Sequence, residues 1–217
     1  MGIGFVILIH LVILFILCLI FAVIAGIVAY LVSNKNRRRR KIILAIAAPF
    51  VGLYTFYICG IIGFSLVTDK KKVDIGIGDA WYVPLRNNHQ LLFIDIPEQA
   101  SINGKNGETQ VSMVAEIEED GNKILGKTFD NGYFLLDTAT DEVKTFNTEK
   151  ELIAVYSGKK TNLAEVTEFY SERKDRIMGL WPFCIGFLSL VISGGAVYIL
   201  KLIIDALFGK VYTLKQK

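Results

Sequence analysis

The chain holds two histidines, His10 and His89, and only His89 lies in a stretch of ordinary globular composition. A histidine oriented by a carboxylate can take a proton from a serine, so His89 with Ser101 or Ser112 and Asp95 is the arrangement that would give nucleophilic chemistry. Neither serine sits in a GxSxG or comparable elbow, and Arg86-Asn87-Asn88-His89 reads as a polar loop. His89 is therefore expected at a solvated turn, outside any catalytic site.

Carboxylates gather at two places, Glu116, Glu118, Glu119 and Asp120 in one, Asp137, Asp141 and Glu142 in the other. Such groups attract cations, but a calcium loop of the EF type needs alternating oxygens, a glycine at the sixth position and a glutamate at the twelfth. Counting from Asp137, Glu142 stands where the glycine should be and no run of ligands follows. Solvated hairpin tips are expected instead. Gly76, Gly78 and Asp79 lack the third glycine and following helix of a phosphate-binding GxGxxG, and read as a linker. Cys18, Cys59 and Cys184 all fall in apolar runs, without CxxC or Cys/His spacing, so neither zinc nor a disulfide framework is expected. No enzyme, cofactor or metal site follows. The acidic cluster, with Trp81, Tyr82 and Tyr133, becomes a candidate contact surface, because Trp and Tyr are frequent interface anchors.

The elements that carry these residues are set by hydrophobicity. Of the 217 residues 53% are hydrophobic and the mean hydropathy is +0.45, more than a soluble fold usually shows. Ile3 to Val32 carries no formal charge, and a bilayer core needs only about 20 residues of helix. It lacks the basic n-region of a signal peptide and reads as a retained span. A second run covers Ile42 to Val67. A third, Leu180 to Leu200, opens on Trp181-Pro182, an interfacial ring followed by a residue suited to the first turn of a helix.

Between the first two runs lies Ser33 to Lys41, with Lys35, Arg37, Arg38, Arg39, Arg40 and Lys41 supplying six positive charges in nine residues. Such loops resist translocation. The predicted organisation is a first transmembrane helix over 1–33 with its amino terminus outside, a basic cytoplasmic loop over 34–41, and a second helix over 42–68. An extracytoplasmic domain over 69–178, a third helix over 179–204 and a cytoplasmic tail over 205–217 complete it. Lys201 at the end of the third helix and Lys210, Lys215 and Lys217 in the tail agree with this, while Lys70 to Lys72, Arg173, Lys174 and Arg176 oppose it. The same basic loop is a candidate contact for anionic lipid headgroups.

Small residues four apart, Ala22 and Gly26, Ala25 and Ala29, Ala48 and Gly52, Ser189 and Ser193, predict close helix packing in a bundle or against a partner subunit. His10 is expected as an interfacial imidazole, and Lys201 with Asp205 as an i,i+4 pair or a snorkelling lysine. Ionisable groups at mid-membrane, the mark of a pump or channel, are nearly absent.

The middle segment has 14 Lys and Arg against 20 Asp and Glu, an acidic balance that argues against nucleic acid. Asn103-Gly104, Asn106-Gly107, Asp120-Gly121 and Asn131-Gly132 are hairpin signals. Strands are expected over 80–85, 90–96, 109–118, 123–129, 133–137 and 142–146. In the third, Val111, Met113, Ala115 and Ile117 should share a buried face. Tyr133-Phe134-Leu135-Leu136-Asp137-Thr138-Ala139-Thr140-Asp141-Glu142-Val143 resembles the hairpin of propeller blades, in which Asp and Thr close the turn. A single copy excludes a propeller.

Thr148-Glu149-Lys150-Glu151 is a capping box for a short helix stopped by Ser157-Gly158, and Asn162-Leu163-Ala164-Glu165 repeats the signal before a stripe of Leu163, Val166, Phe169 and Tyr170. The fold class expected is three transmembrane α-helices plus an α+β extracytoplasmic domain, with an antiparallel sheet of about six strands and one or two C-terminal helices. Function follows by elimination: a membrane-anchored, non-enzymatic binding module such as an inhibitor, immunity-type protector, sensor or accessory protein. Its partners would be the lipid bilayer and a protein or a second copy of itself. A structural subunit of a larger membrane complex is the alternative, and an envelope enzyme the third.

Overall fold

The computed structural model describes residues 3–35, 38–74, 78–156 and 161–214. Arg37, the Gly76 part of the linker, the Ser157-Gly158 helix stop, and Lys215 and Lys217 lie outside the described residues, as does the side chain of Lys210. The chain forms two compact units, one of residues 4–67 and 180–217, the other chiefly of residues 68–179.

The first unit is built from three helices long and apolar enough to cross a membrane: α1 (Ile3–Val32), α2 (Arg38–Lys71) and α5 (Trp181–Leu214). At about 1.5 Å per residue each exceeds the roughly 30 Å of a hydrocarbon core. Their large side chains face outward: Leu8, Ile24, Leu66, Phe187 and Leu190 are exposed. That is the reverse of a water-soluble fold, and it suits a solvent of lipid.

Helix α2 makes the polar contacts to both others. Tyr54 donates to the Leu11 carbonyl at 3.2 Å, His10 Nδ1 lies 3.1 Å from the Tyr57 hydroxyl, and the Cys18 thiol donates to the Pro49 carbonyl at 3.5 Å. On its other side Ser193 donates to the Gly52 carbonyl at 2.7 Å. The small residues act inside this bundle. Ala22, Ser189 and Ser193 are buried, a Cβ on Gly26 would meet Ile46 at 3.2 Å, and one on Gly52 would meet Val197 at 3.3 Å. Ala48 is half-buried. The expected pairing of Lys201 with Asp205 is not made. Asp205 instead binds Arg40 at 3.1 Å, while Lys201 lies over the Tyr198 ring, since a planar guanidinium meets a carboxylate better than an ammonium does.

The second unit is α+β, with nine strands among the described residues in two antiparallel sheets rather than about six in one. Sheet one has the order β1 (Ala80–Pro84), β2 (Gln90–Ile94), β3 (Ile96–Asn103), β4 (Thr109–Ser112). Sheet two runs β8 (Glu142–Phe146), β7 (Tyr133–Asp137), β6 (Lys123–Thr128), β5 (Val114–Asp120), β9 (Ala164–Glu165).

The single strand expected over 109–118 is two. Met113 adopts φ 57°, which ends β4 in one sheet and starts β5 in the other. The turn also shifts the side-chain phase by one, burying Val114 and leaving Met113, expected inside, 46% exposed, and a bulge between Val114 and Glu116 shifts it back so that Ile117 is buried as expected. Strand β3 was absent from the expected set because Pro97, Glu98 and Gln99 break its alternation, and its pairing with β2 is correspondingly irregular between Leu92 and Ile94.

Sheet two has two working faces. Leu125 and Leu135 pack with Leu152 of α3 (Glu149–Tyr156), joined by Tyr133, Phe146, Tyr156 and Leu163. Thr148 caps α3 through the Glu151 N–H at 3.3 Å, and the Glu151 carboxylate reaches back to the Asn147 N–H at 3.1 Å, one residue before the cap N–H that a capping box uses. Helix α4 (Val166–Met178) packs on β1, β3, β5 and β9. Its cap is Glu165, whose carboxylate accepts from Thr167 and Glu168, three residues beyond the Asn162 expected for that role. Pairing of Ala164 and Glu165 with β5 holds the intervening residues extended, so the helix starts later. Val166 and Tyr170 of the predicted stripe are buried, and Leu163 belongs to the α3 cluster instead.

Candidate functional site

His89 is not solvated. It is 1% exposed, with Nδ1 3.1 Å from the Arg86 carbonyl and Nε2 3.0 Å from a carboxylate oxygen of Asp141. The Nε2 contact lies off the N–H direction and counts as charge proximity, since neither Nε2 nor that Asp141 oxygen has a well-aligned hydrogen bond among the described residues. Both ring nitrogens thus face oxygens within a buried setting.

The loop that carries His89 turns through two left-handed residues, Asn87 (φ 53°) and Asn88 (φ 63°), a conformation Asn tolerates better than most residues. Asn87 Nδ2 donates to the Thr138 hydroxyl at 2.9 Å, and that hydroxyl donates to the Asn122 carbonyl at 2.8 Å. Asp137 closes its own turn, accepting from the Ala139 N–H at 2.9 Å. The Asp and Thr of this hairpin therefore divide their work: Asp137 shapes the turn, and Thr138 ties it to the neighbouring hairpin and to the β1–β2 loop.

The acidic cluster is divided by the pleat. Cross-strand register puts Glu118 with Leu125 and Leu135 on the α3 side, together with Glu116 and Asp120, whereas Glu119 shares the opposite face with Ile124 and Leu136. Their oxygens are then spent internally. Asp120 accepts from the Tyr156 hydroxyl, Glu118 accepts from the Asn162 N–H at 2.5 Å, and Glu119 binds both Arg173 and the Arg86 N–H, the latter at 2.8 Å. Its hydrogen bond to Asp120, then burial, push the Tyr156 hydroxyl up to about 12. Three members of the cluster thus join the first hairpin loop, α3 and α4 to one strand. Glu116 is half-buried opposite Lys127.

The aromatic candidates are half-buried. Trp81 stacks on Phe93 with ring centroids 5.3 Å apart, and Phe93 meets Tyr170 edge-on at 5.4 Å. Burial, then the Asp74 charge, raises the Tyr82 hydroxyl above its ordinary value. Burial followed by Asp74 does the same to Tyr170, whose hydroxyl donates to the Asp74 carbonyl at 2.6 Å.

Tyr133, one of the predicted contact residues, lines a recess. A groove of about 470 Å³ lies between β4, the β6–β7 turn and β8. Its walls offer hydroxyls of Ser112, Thr128 and Thr145, amides of Gln110 and Asn147, the Asp130 carboxylate, and the rings of Tyr133 and Phe146. The Thr128 hydroxyl donates to Asp130 and holds that carboxyl below the usual range, so it stays ionised into acid. Met113, which lines the groove, is exposed (46%), and its carbonyl accepts from the N–H of Phe129, a second exposed apolar residue (39%), at 2.8 Å. Sequence reasoning missed both. Met113 was hidden by its place in an alternating run, and Phe129 was counted into a strand that ends at Thr128.

Comparison with protein-family models, with curated proteins and with solved structures returns no match.

Proposed function

We propose that this chain is a membrane-anchored, non-enzymatic binding module whose α+β unit faces away from the cytoplasm and takes a protein or peptide partner in the groove between β4 and β8. The observation that carries the reading is a polar recess lined by exposed Met113, to whose carbonyl exposed Phe129 is hydrogen-bonded, the composition of a surface that exchanges water for a partner. Edge strands β4 and β8 border it, so an extended segment can add main-chain hydrogen bonds to side-chain contacts. The confinement of both His89 nitrogens favours binding over catalysis. Orientation is supported by the basic loop, in which Lys35, Arg38, Arg39, Arg40 and Lys41 are described.

Photo-crosslinking residues placed at Ser112 and Thr145, both exposed in the groove, should give a discrete adduct in cells. The same residue at exposed Glu98 should not. Met113→Asp with Phe129→Asp should abolish the groove adduct while leaving the protein folded. An adduct of equal yield at all three positions, or none at the groove, would sink the proposal. Orientation is read separately with Lys105→Cys and a membrane-impermeant thiol reagent. Lys105 is exposed, unlike Ser101, which is 8% exposed and a poor labelling site.

A further inference from the structure

In the helical unit a second, quite different recess lies between α1 and α2. It has a volume of about 530 Å³ and is lined by apolar groups: Leu19, Val23, Gly26 and Ile27 on α1 face Ile46 and Phe50 on α2. Gly26 keeps its floor open, because a Cβ there would already press on Ile46 at 3.2 Å. Along α1 the lining runs from Leu19 to Tyr30. At about 1.5 Å per residue that is roughly 16 Å, about half of a 30 Å hydrocarbon core, the depth of one leaflet.

The end of the groove at Tyr30 is not apolar. Ile42, Ile46 and Phe50 form an i,i+4 ridge along its α2 wall, and the next member of that ridge toward the amino end is Arg38. The Arg38 guanidinium stands 4.6 Å from the centre of the Tyr30 ring, and its Nε–H donates to the Ser33 carbonyl at 3.3 Å. Its terminal amino groups have no carboxylate within ion-pair distance among the described residues, in contrast to Arg40, which holds Asp205 at 3.1 Å. Arg39 and Lys41 are exposed beside it. The Ser33 side chain is buried there, 4% exposed, and its hydroxyl has no hydrogen-bond partner among the described residues. An apolar slot one leaflet deep therefore ends at Tyr30, against which stands a guanidinium with no carboxylate partner, and near it a hydroxyl with no hydrogen-bond partner, among the described residues.

We propose that this groove is a binding site for an anionic phospholipid, one acyl chain lying between α1 and α2 and the phosphate held by Arg38 and the Ser33 hydroxyl. Guanidinium geometry matches phosphate oxygens two at a time, and Arg39 and Lys41 add attraction at the level where headgroups lie. The other occupant such a slot admits is the helix of a partner subunit, which the apolar lining alone would suit but which leaves the cations at its end unexplained.

The test uses the full chain in nanodiscs of equal parts phosphatidylglycerol and phosphatidylcholine, ejected for native mass spectrometry. Wild type should retain one phosphatidylglycerol. Arg38→Gln should lower that retention at least about fivefold, the loss expected for one basic contact at a membrane surface. Ser33→Ala should weaken it as well. Val23→Trp should abolish retention without altering any charge, since Val23 lines the mouth and is 59% exposed, so the indole fills the slot without entering the bundle. Equal retention of both lipids, or retention unchanged in Val23→Trp, overturns the proposal. A photo-crosslinker at Ile27 that joins a protein helix in place of lipid overturns it as well.

Discussion

Gly126, in the middle of β6, is the position at which the packing of the sheet-bearing unit is most sharply testable. A Cβ built there would lie 2.4 Å from Phe134 Cζ and 2.5 Å from the Glu116 carbonyl oxygen. Neither neighbour yields cheaply. Glu116 belongs to β5, which is paired on both sides by β6 and β9, and Phe134 is 1% exposed in the core. Gly126 is not among the residues with positive φ, so nothing in its backbone forbids a side chain. In an open site Gly126→Ala would stabilise the unit by about 0.4–1 kcal/mol, because alanine narrows the unfolded ensemble. Here the expected sign is opposite. Overpacking costs about 1–3 kcal/mol, and expelling the Phe134 ring from the core costs about 3–5 kcal/mol, so a loss of about 2–4 kcal/mol is expected.

Denaturant titration of the full chain in micelles, with hydrogen exchange followed on the β6 peptide, measures it. Phe134→Ala should be destabilising alone, and in its background Gly126→Ala should cost less than in the wild type, with the Glu116 carbonyl clash remaining, giving a coupling of about 2 kcal/mol in a double-mutant cycle. Unchanged or raised stability of Gly126→Ala alone would refute the packing argument.

Three further outcomes are expected. His89→Ala removes a fully buried ring and leaves the Arg86 carbonyl and Asp141 facing a cavity, so hydrogen exchange in the β1–β2 loop and the β7–β8 turn should rise together, with a loss of about 2–4 kcal/mol. Exchange that rises in only one of the two segments would show that they are not joined there. The Tyr156 phenol should titrate near pH 12 in the wild type, seen as the ultraviolet difference between wild type and Tyr156→Phe, and Asp120→Asn should return it toward 10. Because the folded value lies above the unfolded one, this contact is fully present below pH 10 and is lost as pH rises toward 12. Glu119→Gln should loosen α4 and the Arg86 loop at once, since Glu119 binds both, whereas Glu116→Gln, with no such tie, should be nearly silent in the same exchange experiment.

Length and apolarity alone determined that three helices can cross a bilayer, because the hydrocarbon core imposes one length and one composition on whatever spans it. Local chemistry likewise fixed most hairpins and the cap of α3, since a capping box or an Asp-Gly turn acts over four residues. What the order of residues could not disclose was every feature decided by a single backbone angle or by distant chain. One left-handed residue, Met113, divided an apparently regular strand between two sheets and turned a predicted core side chain outward. The alternation of the pleat split four adjacent acids between two faces, where Arg173, Tyr156, Asn162 and Arg86, none of them within thirty positions, neutralise or bond three of them. His89 read as solvated because its neighbours in sequence are polar, but it is buried, with Asp141, more than fifty residues away, against its Nε2. The same holds for the acyl-sized slot between α1 and α2. Each helix is uniformly apolar in sequence, and only their approach at Gly26 and Ile46 creates a groove with Arg38 at its end.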